Sequence, residues 1–291
     1  MKPAVSPRPF LKWAGGKWDL APKIFSYMPQ DMSKYYYYEP FMGAGAVFFW
    51  LMANGHAPLH AQLGDAMGQL VWTFRAVRNE PEKLILNLSA LEHRFHNEEH
   101  QAVLYADLRR SFNMVLPSAM DMNALFIFLN KTCFNGLWRV NKKGEFNVPM
   151  GDKSKPQICN ADLIHSCSRA LANTTVVHGD FSFTVDRKEP KVIYYDPPYV
   201  PASKTSNFTA YSGSFGSEEQ SRLRDHFAAQ DKGGAICILS NSDTPLVRDL
   251  YKDFEIVPIS VRRSISAKAS SRAAVGEVIV LGHTRPSDAQ G

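Results

Sequence analysis

Four consecutive residues, Asp196-Pro197-Pro198-Tyr199, come directly after the apolar run Val192–Tyr195. A short apolar run of this kind predicts a buried strand of a parallel sheet, and ligands of open α/β sheets bind beyond the carboxyl ends of such strands. Because proline fixes its own φ and restricts the residue before it, the tetrapeptide holds the acid in one arrangement. The alternative interpretation is a strand that simply ends in a proline turn.

The residue types in this tetrapeptide suit the recognition of an exocyclic amino group on a planar ring. The carboxylate of Asp196 and the carbonyls beside it can accept the two hydrogens of the amino group, while Tyr199 stacks on the ring. The lone pair of such a nitrogen is spread into the ring, so the nitrogen attacks poorly until acceptors localise it. The pattern therefore favours N-methylation of a base, with Asp196, Pro197, Pro198 and Tyr199 as the candidate catalytic residues.

Bulk properties set mild limits on the class of protein. The 291 residues are 45% apolar, which suits one large domain or a domain with an insertion. The net charge of +5 is a weak indication of a polyanionic partner, but the segment 130–156 carries six basic residues against two acids. The four cysteines show no paired spacing, which predicts reduced thiols and no metal site. No apolar run approaches the roughly 20 residues of a membrane span, and no signal peptide is visible, so we expect a cytoplasmic protein without a membrane partner.

The order of predicted elements indicates an α/β fold. Apolar patterns predict seven strands, at 35–39, 60–63, 175–177, 192–195, 235–239, 255–261 and 277–281, the last two as a hairpin. Helices are expected at 17–28 and 46–54, and then in a mostly helical stretch, at 81–95, 101–114, 119–129 and 158–171. We therefore predict one α/β domain formed by residues 1–67 and 174–291, with a mainly helical insertion at 68–173 between its second and third strands.

A glycine-rich turn follows the first predicted strand. The turn Glu39-Pro40-Phe41-Met42-Gly43-Ala44-Gly45-Ala46 lets backbone and ligand come close, and Asp65 at the end of the next strand can accept both hydroxyls of a ribose. Asp180 and Phe181 after the third strand suit the amino group and the face of an adenine. The turn lacks the three spaced glycines of the dinucleotide fingerprint and the Gly-Lys of a P-loop, and alone it could be an ordinary tight turn.

The segment Phe10–Lys17 precedes the first predicted helix. Its paired glycines open the backbone, Trp13 offers a flat face, and Lys17 offers a cation near a cofactor carboxylate. The alternative interpretation is a helix start with a packed tryptophan.

These blocks, in this order, resemble the Dam family of DNA adenine-N6 methyltransferases over nearly the whole chain. The cofactor turn precedes the recognition segment and the catalytic tetrapeptide follows it, which is the alpha arrangement of that family. The resemblance implies a Rossmann-like methyltransferase sheet, the cofactor S-adenosylmethionine and a bacterial protein, or a phage protein in a bacterial host. It implies a cofactor site formed by Trp13, Lys17, Glu39, Phe41, Gly43, Gly45, Asp65, Asp180, Phe181 and Asp196.

The segment 130–149 is similar to the recognition hairpin of the same family, and residues 141–144 predict its turn. Phe134 is expected to fill the gap left by a flipped base, which leaves the stack at a cost of a few kcal/mol. Arg139 can bind guanine O6 and N7. The resemblance implies DNA contacts from Lys12, Phe134, Asn135, Leu137, Arg139, Asn141, Asn147, Pro149 and Ser203. The alternative is a solvated basic loop with a buried Phe146.

Three further segments complete the expected site. Residues 200–217 predict a lid over the flipped base, or else an ordinary surface loop. Ser240 and Asn241, which end a strand, are expected to wall the pocket. Arg262 and Arg263 are expected to contact phosphates, although residues 267–275 are poorer in glycine than in many members of the family.

The sequence therefore predicts methyl transfer from S-adenosylmethionine to N6 of adenine in double-stranded DNA, within GATC by resemblance, through base flipping and direct attack. No metal, covalent intermediate or obligatory protein partner is expected. Methylation of RNA or of a protein glutamine is a rival, but proteins of that kind usually carry Asn-Pro-Pro-Tyr. A DNA-binding module without catalysis is a second rival, against which Asp65, Asp180 and Asp196 argue. A restriction-linked modification enzyme would share the same chemistry.

Overall fold

The computed structural model of the protein describes residues 5–114, 119–183, 189–200, 215–259 and 276–286. Within these ranges one sheet contains seven strands: β1 (Tyr36–Glu39), β2 (His60–Asp65), β3 (Thr174–His178), β4 (Lys191–Tyr195), β5 (Ile236–Ser242), β6 (Glu255–Ile259) and β7 (Glu277–Leu281). The helices of the same ranges are α1 (Ala21–Phe25), α2 (Ala46–Ala53), α3 (Gly68–Asn79), α4 (Pro81–His96), α5 (Gln101–Met114), α6 (Ala119–Thr132), α7 (Ala161–Leu171), α8 (Ser217–Lys232) and α9 (Pro245–Leu250). The predicted α/β fold with a seven-stranded sheet is confirmed.

The sheet has the strand order β3-β2-β1-β4-β5-β7-β6. Strands β1 to β5 pair in parallel, whereas β7 runs antiparallel to both β5 and β6. The direction of chain progression reverses between β1 and β4, so a crevice forms at the carboxyl ends of these two strands. Glu39, Asp65 and Asp196 lie at or just beyond the carboxyl ends of β1, β2 and β4, and the topology therefore gathers three acids at one edge.

Helix α1 is shorter than the helix predicted at 17–28. Proline is tolerated only in the first turn of a helix, so Pro22 fixes the start at Ala21. After Phe25 the chain continues in tighter turns, in which the Met28 N–H donates to the Phe25 carbonyl over 2.8 Å. The residues before Ala21, among them Lys17, are thereby left free of the helix.

Helices α8 and α9 were not predicted from the sequence. The buried face of α8 consists of Gln220, Leu223, Phe227 and Asp231, so half of its inward positions are polar. Because an amphipathic pattern is recognised by apolar residues at helical spacing, two polar residues at buried positions conceal it. Helix α9 is only six residues long and is capped at its N-terminus by Thr244, whose side chain accepts from the Val247 N–H.

Helices α3 to α7 lie between β2 and β3 in the chain, and they share a core with the sheet. Phe74 of α3 contacts Phe10 and Phe49, and Phe95 of α4 packs edge-on against Phe128 of α6. These five rings belong to one continuous cluster of buried side chains. The helical insertion therefore packs against the sheet and shares its core. The limits of the insertion at residues 68 and 173 stay a prediction. No helix of the described ranges is both long and apolar enough to cross a bilayer.

Replacing Phe146 by alanine should destabilise the protein strongly. Its ring is 1% exposed and stacks on Trp138 with 4.5 Å between ring centroids, so the change opens a cavity beneath the hairpin. We expect a loss of about 3–5 kcal/mol in the free energy of unfolding, measured by urea titration. Leu86→Ala on α4 is the control, because Leu86 is 69% exposed and should change stability by under about 0.5 kcal/mol. Equal losses in the two variants would contradict this account of the core.

Candidate active site

A cleft of about 1240 Å³ opens at the carboxyl ends of the parallel strands. It is larger than the roughly 300–1,000 Å³ of common small-molecule sites, and it has room for two ligands side by side. The predicted site residues in its wall are Trp13, Lys17, Glu39, Phe41, Gly43, Asp65, Phe134, Leu137, Arg139, Pro149, Asp180, Phe181 and Asp196 to Tyr199. Residues predicted separately as cofactor-binding, catalytic and DNA-binding thus meet in one cavity.

The glycine turn after β1 is held by Asp65. Its carboxylate accepts the N–H of Gly43 over 3.2 Å and the N–H of Met67 over 2.9 Å. Gly43 has a φ of +48°, and a Cβ on it would lie 3.0 Å from the indole of Trp13, so a larger residue there would be both strained and crowded. Gly45 also has positive φ, at +68°, and lies under the turn against the Phe49 and Phe74 rings. The turn therefore presents bare backbone to the cleft.

Lys17 and Asp196 form a largely buried ion pair, with 3.1 Å between Nζ and Oδ1. The Lys17 ammonium also donates to the Gly15 carbonyl over 2.6 Å and lies 4.7 Å from the centroid of the Tyr199 ring. Burial raises the pKa of Asp196 above its ordinary value, and the Lys17 ammonium opposes that rise. The structure thus brings Lys17 against the candidate catalytic carboxylate, and its predicted contact with a cofactor stays a prediction.

Glu277 is a site residue that the sequence did not reveal. It begins β7 and lies opposite Ser242 of β5, and its Oε2 accepts a hydrogen bond from the Tyr199 hydroxyl over 3.3 Å. Glu277 lines the cleft. No local motif marks this glutamate, because only the antiparallel insertion of β7 beside β5 carries it to the site.

The carboxylate of Asp180 is bound by Arg222 of α8. Two guanidinium nitrogens donate to its two oxygens over 2.8 and 2.6 Å, and this pairing holds the pKa of Asp180 well below its usual range. The guanidinium carbon lies 4.1 Å from the centroid of the Phe181 ring, which also stacks on Phe41. Phe181 is only 4% exposed, so adenine contact by this ring stays a prediction. Arg222 was missed because it is distant in sequence and lies in the unpredicted helix α8.

The charge of the cleft is predominantly negative. Two cations of the described residues line it, Lys17 and Arg139, against six carboxylic residues: Glu39, Asp65, Asp180, Asp196, Glu219 and Glu277. Burial raises the pKa of Glu39 from 4.5 to about 8, so this one is mainly neutral at pH 7. Arg222 pairs with both Asp180 and Glu219 and offsets one further charge, and the small excess of carboxylates that remains favours a ligand that carries positive charge.

The hairpin at the mouth of the cleft has the predicted turn. The Gly144 N–H donates to the Asn141 carbonyl, and the Asn141 N–H donates to the Glu145 carbonyl, each over 2.9 Å. The flanking strands are reduced to single bridges, between Val140 and Phe146 and between Cys133 and Met150. Arg139 is held by Asn147, whose Oδ1 accepts from its Nε over 2.8 Å.

Helix α5 supports this hairpin from behind. The Tyr105 hydroxyl and Arg109 Nη1 both donate to the Val148 carbonyl, over 2.8 and 3.0 Å. Asn113 pairs with both the N–H and the carbonyl of Phe146. These three helix residues are spaced by four and therefore lie on one face. Their hydrogen bonds hold the backbone of the hairpin in place of continuous strand pairing, of which only the two single bridges are present.

The remaining predicted DNA contacts surround the hairpin. Phe134 and Leu137 are 43% and 38% exposed. Asn135 has a φ of +53°, in the left-handed region that asparagine tolerates better than most residues. The backbone of Lys12 is tied to the Asn130 side chain by two hydrogen bonds, of 2.8 and 2.7 Å. Ser203, Arg262, Arg263 and most of the expected lid lie outside the described residues.

The strand order with its reversed last strand, the glycine turn after β1 and the carboxylate after β4 together define an α/β methyltransferase fold. Comparison with protein families agrees. The chain belongs to the D12 class N6 adenine-specific DNA methyltransferases, whose family model matches residues 13–265. The protein is therefore an enzyme that methylates adenine in DNA, and the resemblance to the Dam family is confirmed.

Three of the similar proteins match over nearly their whole lengths. A type II methyltransferase from Lactococcus lactis subsp. cremoris is 39% identical over 289 residues, which cover 97% of this chain and 98% of the relative. A type II methyltransferase from Methanocaldococcus jannaschii is 36% identical, over 95% of this chain and 99% of the relative. The DNA adenine methylase of Escherichia coli K12 is 33% identical, over 94% and 95% respectively.

Replacing Glu39 by glutamine should flatten the pH dependence of stability. Between pH 4.5 and about 8 the folded protein binds more protons at Glu39 than the unfolded chain does, so stability falls as pH rises through this window, by at most about 1.4 kcal/mol per pH unit. Glutamine keeps an acceptor for the Tyr37 hydroxyl and the Phe48 N–H but does not titrate. Urea unfolding of the ligand-free protein at several pH values measures the difference. Glu99→Gln, at an exposed position, is the control and should give the wild-type dependence of stability on pH. If the curve of Glu39→Gln also ran parallel to that of the wild type, Glu39 would not be the group responsible.

Proposed function

We propose that this enzyme transfers a methyl group from S-adenosylmethionine to N6 of adenine within GATC in double-stranded DNA, after the adenine has flipped out of the helix. The observation that carries the proposal is the shared cleft. In this cleft the Asp196–Tyr199 tetrapeptide lies beside the glycine turn that Asp65 holds, and the basic hairpin lies at the mouth. Residues 68–173 would serve as the target-recognition part and the remainder as the catalytic part.

The residues of the cleft fit the proposed cofactor. Bare backbone at Gly43, with Asp65 behind it, suits the close approach of a nucleoside, and the excess of carboxylates suits a sulfonium cation. When bound, S-adenosylmethionine supplies an electrophilic methyl group on a sulfur that is a good leaving group. Trp13, Lys17, Glu39, Phe41, Gly45, Asp180 and Phe181 are proposed to complete this part of the site.

The protein's part in the reaction is to hold and polarise the amino group. Asp196 would accept one N6 hydrogen, which localises the nitrogen lone pair toward the methyl donor. Lys17 pairs with this buried carboxyl and opposes the rise in its pKa that burial causes, and it lies near the face of Tyr199, on which the adenine would stack. The contribution is one of positioning and preorganised charge, with no covalent intermediate.

The flipped base must leave a gap in the duplex, and the hairpin offers a side chain to fill it. Phe134 is exposed at the mouth of the cleft, in a hairpin fixed by α5. Arg139, oriented by Asn147, can bind a guanine through its remaining N–H groups. Lys12, Asn135, Leu137, Asn141, Asn147, Pro149 and Ser203 are proposed to form the other DNA contacts.

Asp196→Ala should lower the rate of methyl transfer to a GATC duplex by at least about 100-fold, because the amino group loses its charged acceptor. Incorporation of labelled methyl groups and detection of N6-methyladenine measure it. Asp107→Ala on α5 is the control. Since removal of Asp196 leaves Lys17 buried without its partner, Asp196→Asn and thermal unfolding accompany the assay. Near full rate in a folded Asp196→Ala enzyme would refute the assigned role.

Arg139→Ala should weaken the preference for GATC over duplexes altered at the guanine, by about 5- to 150-fold in kcat/KM ratio, which corresponds to about 1–3 kcal/mol of discrimination. Lys142→Ala, in the turn of the same hairpin, removes an equal charge and should reduce binding alike for all sequences. Unchanged discrimination in Arg139→Ala would contradict the base-reading role. Methylation at another sequence by the wild-type enzyme would contradict GATC while leaving the chemistry intact.

A further inference from the structure

The loop that follows β4 is held by side chains of two other elements. Gln220 of α8 is 1% exposed, and its Nε2 donates to the Pro198 carbonyl over 2.9 Å. Its Oε1 accepts from Asn241 Nδ2 over 3.1 Å, so both ends of the buried amide are used. The arrangement therefore requires an uncharged side chain with one donor and one acceptor in fixed positions, which the amide of Gln220 supplies.

Asn241 and Ser242 of β5 hold the next part of the loop. Asn241 Oδ1 accepts from the Val200 N–H over 3.3 Å, and Ser242 Oγ donates to the Val200 carbonyl over 2.7 Å. Asn241 is fully buried. We call Gln220, Asn241 and Ser242 the loop clasp. Three backbone groups of residues 198–200 are thus bound by side chains of the clasp.

The register of the sheet explains why the clasp is needed. The pairing of β4 with β5 ends at Tyr195 and Leu239, whereas β5 continues to Ser242. Pro197 and Pro198 have no N–H groups, so the loop cannot continue the ladder, and proline fixes φ but leaves ψ open. The side chains of the clasp supply the missing constraints on the segment that fixes the separation between Asp196 and Tyr199.

We propose that Gln220 is a positioning residue for methyl transfer, which fixes the Pro198 carbonyl and through it the relative placement of Asp196 and Tyr199. The proposal rests on the role proposed above for the Asp196–Tyr199 tetrapeptide. Gln220 itself does not line the cleft, so it acts through the loop rather than by contact with substrate. Its loss should therefore affect the rate of the bound complex more than the binding of the methyl donor.

The experiment compares the full-length wild-type enzyme with Gln220→Leu and Gln220→Glu, on unmethylated genomic DNA so that the outcome does not depend on GATC. Gln220→Leu removes both hydrogen bonds and should lower kcat by roughly 10- to 100-fold, while the KM for S-adenosylmethionine changes by less than about threefold. Glu218→Gln, at an exposed position in the first turn of the same helix, is the control and should retain wild-type kinetics.

Gln220→Glu provides a second test, the pH dependence of kcat, which would not change if Gln220 only stabilised the fold. A protonated carboxyl at this position has one O–H for the Pro198 carbonyl and one acceptor for Asn241, which is the hydrogen-bond pattern of the amide, whereas the ionised form has no donor. We expect its kcat, relative to wild type at the same pH, to be low near pH 8 and to recover as pH falls toward about 6.

Three results would overturn the proposal: a kcat of Gln220→Leu within about threefold of wild type, no relative recovery of Gln220→Glu at low pH, or parallel losses of kcat, donor binding and thermal stability. Absence of N6-methyladenine with the wild-type enzyme would instead refute the reaction itself. Thermal unfolding and equilibrium binding of S-adenosylmethionine by each variant separate a loosened loop from a protein that has failed to fold.

Discussion

The buried ion pair between Lys17 and Asp196 connects the N-terminal segment with the loop after β4, the two parts of the chain that the proposed reaction brings together. Lys17 comes from the N-terminal segment and Asp196 from the end of β4, and neither charge is tolerable in that place without the other. The N-terminal segment is in turn tied at Lys12 to Asn130 of α6, which leads into the hairpin. A single chain of contacts therefore runs from the helical insertion to the proposed catalytic carboxylate, and a shift in one part would displace the other.

The charge balance around this pair distinguishes the two ligands of the proposed reaction. DNA is a polyanion, and the hairpin that would meet it carries most of its basic residues outside the cleft. The interior holds an excess of carboxylates, which suits a sulfonium donor and the positive charge that develops on an attacking amine. In the proposed reaction, repulsion between the phosphate backbone and the carboxylates deep in the cleft would favour entry of a single extruded base over entry of the duplex.

The parts of the site that could be predicted from the sequence are those whose residues are adjacent in the chain. The Asp196–Tyr199 tetrapeptide and the glycine turn are local patterns, and the strand order gathers their positions at one edge of the sheet. Glu277, Arg222 and Gln220 are isolated residues without a motif, and two of them lie on a helix whose buried face is half polar. Their roles come from packing between distant elements, which apolar periodicity and spacing do not encode.

The hairpin divides its tasks between backbone and side chains. Its backbone is bound by Tyr105, Arg109 and Asn113 of α5, which donate to or accept from main-chain groups of residues 146 and 148. Such contacts do not depend on which side chains the hairpin displays, so residues such as Phe134 and Leu137 can face outward without being required for its shape. Because support and display are separate, substitutions on the displayed face can change the proposed DNA contacts while the backbone of the hairpin keeps its place.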